Sequence, residues 1–388
     1  MINYFIIMSR KLLMHVGPVM IDDDVLLAGV KDNTGFASPE FVTSMKNALN
    51  GLKYVMNAED YQPFIMPGSG TMGMESVTSL LKKDDKILIV SSGVFGDRWK
   101  EIFSRYDVKY KLLRSEPGKI ISEDQVMDEL SREKYKMVTV TQVETSTGVL
   151  YPVKSLVKKI RDKVDLIVVD SVAGAAAEEL KVQDWDIDVC LTGSQKAIAT
   201  PPGAALMVLS QNAVKSIKDN SISGYYTDLS KWINVMRNFQ NGKSGYYTTL
   251  PVHIVFSLEK SFDLIKEETM ENRIKRHKLV SGMIRSGLNG MDMKIMAEKG
   301  LESHTVTAMM LDGLDMNTFL NKCMNSNVEM GSGIVPEYAG KYIRIGHMGN
   351  VNANDAISTV SVIEKILNEM GKKVPSGVEA TQEYFMHQ

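Results

Sequence analysis

The stretch DLIVVDSVAG (residues 165–174) carries four consecutive apolar residues, Leu166, Ile167, Val168 and Val169, and ends on a carboxylate, Asp170. A β-prone run without polar alternation is the pattern of a strand covered on both faces, which occurs where helices pack on both sides of a mostly parallel sheet. In open sheets of that kind the carboxyl ends of the strands face the crevice that holds ligands. Asp170 is therefore a candidate site residue, with a plain turn or N-cap aspartate as the alternative reading.

Working outward, similar runs recur between about residues 60 and 210: KILIVS (86–91), VKYKLL (108–113), MVTVTQV (137–143), DVCLT (188–192) and AALMVL (204–209). Helical segments lie between them. SEDQVMDELSREKY begins on an N-cap serine and spaces Val126, Met127 and Leu130 along one face, and SLVKKIRDK repeats the pattern. The alternation predicts an α/β unit with a mostly parallel sheet. Past residue 250 the pattern changes to a long helical stretch from 251 toward 283. Strands TVTAMML (305–311) and KYIRIG (341–346) and a helix within NANDAISTVSVIEKILNEM follow. The predicted division is residues 1–255 for an N-terminal segment plus the large unit, and 256–388 for a small α+β unit.

The 388 residues exceed what one ordinary core holds, in keeping with two units. A formal net charge of -2 with 24% charged residues offers no basic excess for nucleic acid or anionic lipid. The two cysteines, Cys190 and Cys323, form no CxxC pair, which argues against a disulfide framework, a structural zinc site and an oxidising compartment. The opening MINYFIIMSRKLL lacks a basic n-region and a small-residue cleavage site, and no run of about 18 apolar residues occurs. A cytoplasmic protein without membrane, metal or nucleic-acid partners is expected.

Two further neighbourhoods stand out. PGSGTMGMES places Gly68, Ser69, Gly70 and Thr71 in a tight loop that opens a helix, where backbone N–H groups suit an anion such as phosphate. It lacks the GK[ST] ending of a P-loop, its Gly68, Gly70 and Gly73 are not read as a Rossmann GxGxxG at a strand end, and it reads equally as a turn with an N-cap. TGSQKAIATPPG (192–203) sets Lys196 in a polar bend between two β-prone runs. There, burial can lower the amine's pKa enough for nucleophilic attack on a carbonyl, although solvated surface is the ordinary home of a lone lysine. Taken together, an amine, a strand-end acid and an anion cradle are the parts a pyridoxal phosphate site requires.

The motifs GSGTMGMES, GVFGDRW, VETSTGVLYPV, VVDSVAG, TGSQKAIATPPG, YYTTLPVH and YIRIGHMG occur in this order over almost the whole chain. The sequence thereby resembles the class V aminotransferases of fold type I, in the alanine–glyoxylate and serine–pyruvate branch. The resemblance implies seven strands for the mostly parallel sheet, pyridoxal 5'-phosphate as cofactor and a homodimer with shared sites. Lys196 matches the Schiff-base lysine, and Asp170 the partner of the pyridine nitrogen. Ser69, Gly70, Thr71 and Gln195 match phosphate contacts, Thr145 the hydroxyl near the phenolic oxygen, and Phe95 the ring-stacking aromatic. Tyr246 and Thr249 match residues that a neighbouring subunit lends to the phosphate. Arg344 matches the arginine that grips the substrate carboxylate, while His15, Gly17 and Pro18 fall in a segment that lines the substrate. Where relatives commonly read GHRSPEF, this chain reads GFASPEF, so Phe36 and Ala37 make the substrate entrance more apolar. Without a large charged second pocket, serine or alanine as donor and glyoxylate or pyruvate as acceptor are expected. The alternatives are other enzymes of this fold, a phosphoserine aminotransferase or a cysteine desulfurase.

Overall fold

The computed structural model describes residues 11–217 and 222–388. The leader reading, which falls largely on residues 1–10, lies outside them. In chain order the strands are β1 (Leu12–Met14), β2 (Gln62–Pro67), β3 (Lys86–Ser91), β4 (Lys109–Arg114), β5 (Met137–Thr141), β6 (Val143–Glu144), β7 (Val149–Leu150), β8 (Leu166–Asp170), β9 (Val189–Gly193), β10 (Ala204–Leu209), β11 (Val306–Met310), β12 (Val328–Ser332) and β13 (Tyr342–Gly346).

Seven of these form one sheet in the order β2-β10-β9-β8-β5-β3-β4. The chain from β4 to β9 is parallel throughout, and β10 runs antiparallel to both of its neighbours. Every residue of the central β5 and β8 is buried, the reason their sequences run apolar without alternation. Strand β2, QPFIMP, carries prolines that mask its strand character in the sequence. It sits at the sheet edge, where a missing N–H is tolerated.

A second sheet has the order β1-β12-β13-β11. β1 pairs in parallel with β12, and Met14 and Met20 join the apolar cluster of the small unit, so the chain's N-terminal part is built into the C-terminal sheet. β13 lies between β12 and β11, which makes Arg344 internal to the sheet rather than an edge residue.

The helical stretch expected from 251 toward 283 is two helices, Val252–Glu268 and Met270–Gly290. Thr269, at φ 67, breaks the first, and its side chain accepts from the Asn272 N–H to cap the second. The apolar spacing runs on across the break, so periodicity does not reveal it. After the helix Ala353–Glu369 comes one more, Gly377–Met386, packed closely on Met270–Gly290. A Cβ built on Gly282 would lie 2.2 Å from the Tyr384 hydroxyl, so only glycine allows this approach. Among the described residues no helix is long and apolar enough to cross a membrane.

Candidate active site

Parallel strands bring their carboxyl ends to one edge. β10 is antiparallel to both β9 and β2, so β2 points the same way as β9 and delivers residues 69–71 to that edge. The helix Val94–Arg105 follows β3 there and carries Phe95. β8 ends at Asp170, whose ladder neighbours are Thr141 on β5 and Leu191 on β9. Lys196 lies in the bend just past β9.

These elements enclose a cavity of about 120 Å³. Eight of the residues predicted from the sequence line it: Ser69, Gly70, Thr71, Phe95, Thr145, Asp170, Gln195 and Lys196. The Lys196 side chain is 8% exposed, and its Nζ donates to the Val16 carbonyl. Gly17, at φ 114, passes so close that a Cβ there would lie 2.7 Å from Lys196 Cδ. No side chain fits at that position, which gives Gly17 a reason in the packing around the lysine. Burial, reinforced by the Arg344 charge, lowers the Lys196 pKa to about 8. Asp170 is buried too, and Oδ1 accepts from the Val172 N–H at 2.9 Å. Burial raises its pKa to about 6 against the pull of that hydrogen bond.

Arg344, on β13 of the small sheet, does not itself line the cavity but contacts Thr145, which does. Its Nε donates to the Ser332 carbonyl at 2.8 Å and Nη1 to the Thr145 carbonyl at 3.4 Å. Among the described residues Nη2 has no hydrogen-bond partner, which leaves a donor for a ligand. The His15 ring lies near both Arg344 and Lys196, and burial pushes its pKa down.

Tyr246, Thr249 and Phe36 are not brought to this cavity. Phe36 stacks on Tyr246 with ring centroids 5.8 Å apart, and Tyr246 is 67% exposed. Phe36 and Thr249 line a separate open groove instead. Ala37 and Pro18 are exposed.

Four residues escaped the sequence reading. Thr141 is buried against the cavity with a hydroxyl that has no partner among the described residues. The alternation in MVTVT sets Thr139 and Thr141 on one face, and the ladder places Thr141 beside Asp170, a signal that pairing alone exposes. Val172 lines the cavity and packs on the 69–71 loop, close enough that a Cβ on Gly70 would meet its Cγ2 at 2.5 Å. Arg98 lines the cavity one helical turn after Phe95. The buried Glu144 carboxylate accepts from the Phe95 and Gly96 N–H groups at 3.1 and 3.0 Å, an anion at the N-terminus of the helix that carries Phe95.

Residues 27–348 match the family model Aminotransferase class-V. An uncharacterised aminotransferase of Methanocaldococcus jannaschii is 32% identical over 382 residues, covering 97% of this chain and 98% of that protein. Alanine–glyoxylate aminotransferase 1 of Saccharomyces cerevisiae is 32% identical over 364 residues, covering 89% and 94%. In fold, the chain superposes on pyridoxamine–pyruvate aminotransferase from Mesorhizobium loti with a TM-score of 0.92 at 24% identity, over 98% of both chains. The large mixed sheet, the small C-terminal sheet and the sequence over most of its length agree: the chain is an enzyme that belongs to the class V aminotransferases.

Proposed function

We propose that this aminotransferase uses pyridoxal 5'-phosphate to move an amino group from serine or alanine to glyoxylate or pyruvate, in two half-reactions of ping-pong type. The residues of the cavity fit that cofactor. Phe95 and Val172 offer an aromatic and an apolar surface to a flat ring, Ser69, Gly70 and Thr71 offer donors, and the Thr141 hydroxyl, without a partner among the described residues, stands on the strand beside Asp170. When bound, the cofactor supplies an aldehyde that takes amino groups and a ring that accepts electrons.

The chain's own residues do the rest. Lys196 presents a buried amine to the aldehyde and, once displaced by the amino acid, moves the proton from the substrate's α-carbon. With its amine released, the Val16 carbonyl is a resting partner already in place. Asp170, ionised above about pH 6, keeps a proton on the ring nitrogen. Arg344 holds the substrate carboxylate through the donors it does not use on Ser332. Tyr246 and Thr249, exposed and away from their own chain's cavity, complete the phosphate site of a second subunit in a cytoplasmic homodimer. On this reading residues 1–255 supply the cofactor site and 256–388 the carboxylate grip, with β1 as the part of the first that is woven into the second.

The observation that carries the reading is the enclosure of Lys196, Asp170 and the 69–71 loop in one cavity. The two cysteines give no support to desulfuration: Cys190 and Cys323 are fully buried, in β9 and in the helix Met316–Asn325, and neither lines the cavity of Lys196. The test is an absorption spectrum of the purified chain with the cofactor. A visible band that borohydride abolishes, absent in Lys196→Ala and bleached by alanine or serine in single turnover, is expected. A wild-type protein without that band would overturn the proposal.

A further inference from the structure

The residues assigned to the cofactor's phosphate share a property: Ser69, Gly70, Thr71, Gln195, Tyr246 and Thr249 are all uncharged. A phosphate monoester carries a charge of about −1.5 to −2 at neutral pH. Uncharged donors can surround such an anion, but hydrogen bonds from a cation are about twice as strong. Lys196 does not fill that role, because its amine is committed to the aldehyde.

Arg98 lines the same cavity. Its Cζ sits 4.7 Å from the centroid of the Phe95 ring, and Nη1 donates to the Thr71 hydroxyl at 3.0 Å. Residues three apart on a helix share a face, so the stack follows from the position of Arg98 on the helix Val94–Arg105. The neighbouring Asp97 is engaged elsewhere, by Arg114 Nε at 2.8 Å and by the Ser91 hydroxyl at 2.7 Å. Among the described residues Arg98 forms no ion pair and makes this single hydrogen bond. A guanidinium offers five N–H donors. One of them is used, and the group is oriented by an aromatic face and by the loop that holds the anion. The buried Thr141 hydroxyl, also unpartnered, independently marks the cavity as a place for a polar ligand.

We propose that Arg98 is the cation that holds the phosphate of the bound cofactor, with Phe95 and Thr71 fixing its guanidinium for that task. The inference rests on the cofactor reading above and adds to it a charged residue supplied by the same subunit as Lys196. It also gives Phe95 a second use, as the plate on which the arginine is mounted.

The test separates phosphate from ring. Apo-protein of the wild type, Arg98→Gln and Arg98→Lys is titrated with pyridoxal 5'-phosphate and with pyridoxal, which lacks the phosphate. Arg98→Gln should bind pyridoxal 5'-phosphate about tenfold to a hundredfold more weakly, the range for a lost charge-assisted hydrogen bond, and should bind pyridoxal unchanged. Arg98→Lys should recover part of the loss, since it keeps the charge and gives up the planar fork and the stack. Unchanged pyridoxal binding also demonstrates that the variant is folded. Equal weakening of both ligands would make Arg98 a prop for Phe95 and overturn the proposal, and so would unchanged binding of both. A wild type that binds neither ligand would instead remove the cofactor reading and this inference together.

Discussion

Lys196 and Asp170 are both driven toward their neutral forms by burial, the amine down to about 8 and the carboxyl up to about 6. Each also moderates the other, because the carboxylate favours the ammonium and the ammonium favours the carboxylate. Only the neutral amine attacks an aldehyde, so capture of the cofactor by apo-protein should quicken as pH rises through about 8 and level off above it. Stopped-flow absorbance across pH measures that midpoint. Arg344→Gln removes a positive charge that disfavours the ammonium, so the midpoint should move to higher pH, whereas Asp170→Asn removes the favourable charge and should move it lower. Opposite signs are the diagnostic, and a midpoint at the value of a free lysine in every variant would mean that Lys196 is solvated. Arg344 has a second, separable effect. If Arg344 grips the substrate carboxylate as proposed, Arg344→Lys replaces a two-pronged grip by a point charge, and kcat/KM for alanine and serine should fall by roughly tenfold or more. Reaction with amines that lack a carboxylate should be unaffected, and an equal loss for both would assign Arg344 a structural role.

The bend that carries Lys196 is held by an element far away in the sequence. On the helix Met270–Gly290, Arg273 is 6% exposed; its Nε donates to the Ala176 carbonyl at 2.9 Å and its Nη2 to the Ala197 carbonyl at 2.6 Å, while Nη1 pairs with Glu268 at 2.6 Å. One guanidinium thus ties the turn that follows Asp170 to the bend that holds Lys196. Ala176 and Ala199 have φ of 69 and 57, left-handed backbone that an alanine keeps only under outside constraint. Arg276, one turn on, donates to the Gly349 and Val351 carbonyls just past β13, extending the tie to the strand of Arg344. Arg273→Leu should destabilise the fold by at least about 2 kcal/mol, from hydrogen bonds with a charged donor. Peptides covering residues 171–177 and 194–200 should exchange amide hydrogens faster, while those of β5 and β8 keep their protection. Uniform loss of protection would show general destabilisation without a local clamp. This network is illegible in the sequence because its bonds join residues 76 and 97 positions apart and leave no local pattern. The central strands are legible for the opposite reason, since burial on both faces writes itself into β5 and β8 as unbroken apolar runs. Between these extremes lie β2, masked by edge prolines, and Thr141, whose place beside Asp170 depends on strand pairing.

At the scale of the whole molecule, one chain builds a cavity that contains Lys196, Asp170 and the 69–71 loop, yet leaves Tyr246 and Thr249 outside it. Tyr246 is exposed and stacked on Phe36, and Thr249 and Phe36 share a groove with Pro251 and Ile254. An aromatic pair left half in water gives up part of what burial returns, about 25 cal/mol for each Å² of apolar surface, and a second copy of the chain would cover it. If the two copies exchange Tyr246 and Thr249, each site contains residues of both chains, and genetic damage can be placed on either side. Lys196→Ala chains lack the amine, and Tyr246→Phe/Thr249→Ala chains lack the lent hydroxyls, so each homodimer should have both of its sites impaired. In a hybrid of the two, one site collects both lesions and the other collects neither. Hybrids assembled from differently tagged chains and purified through both tags should therefore recover one working site per dimer, with the KM of the wild type. A confirmed hybrid with no activity above that of the parents would show that each subunit completes its own site, and would return Tyr246 and Thr249 to the surface of a single chain.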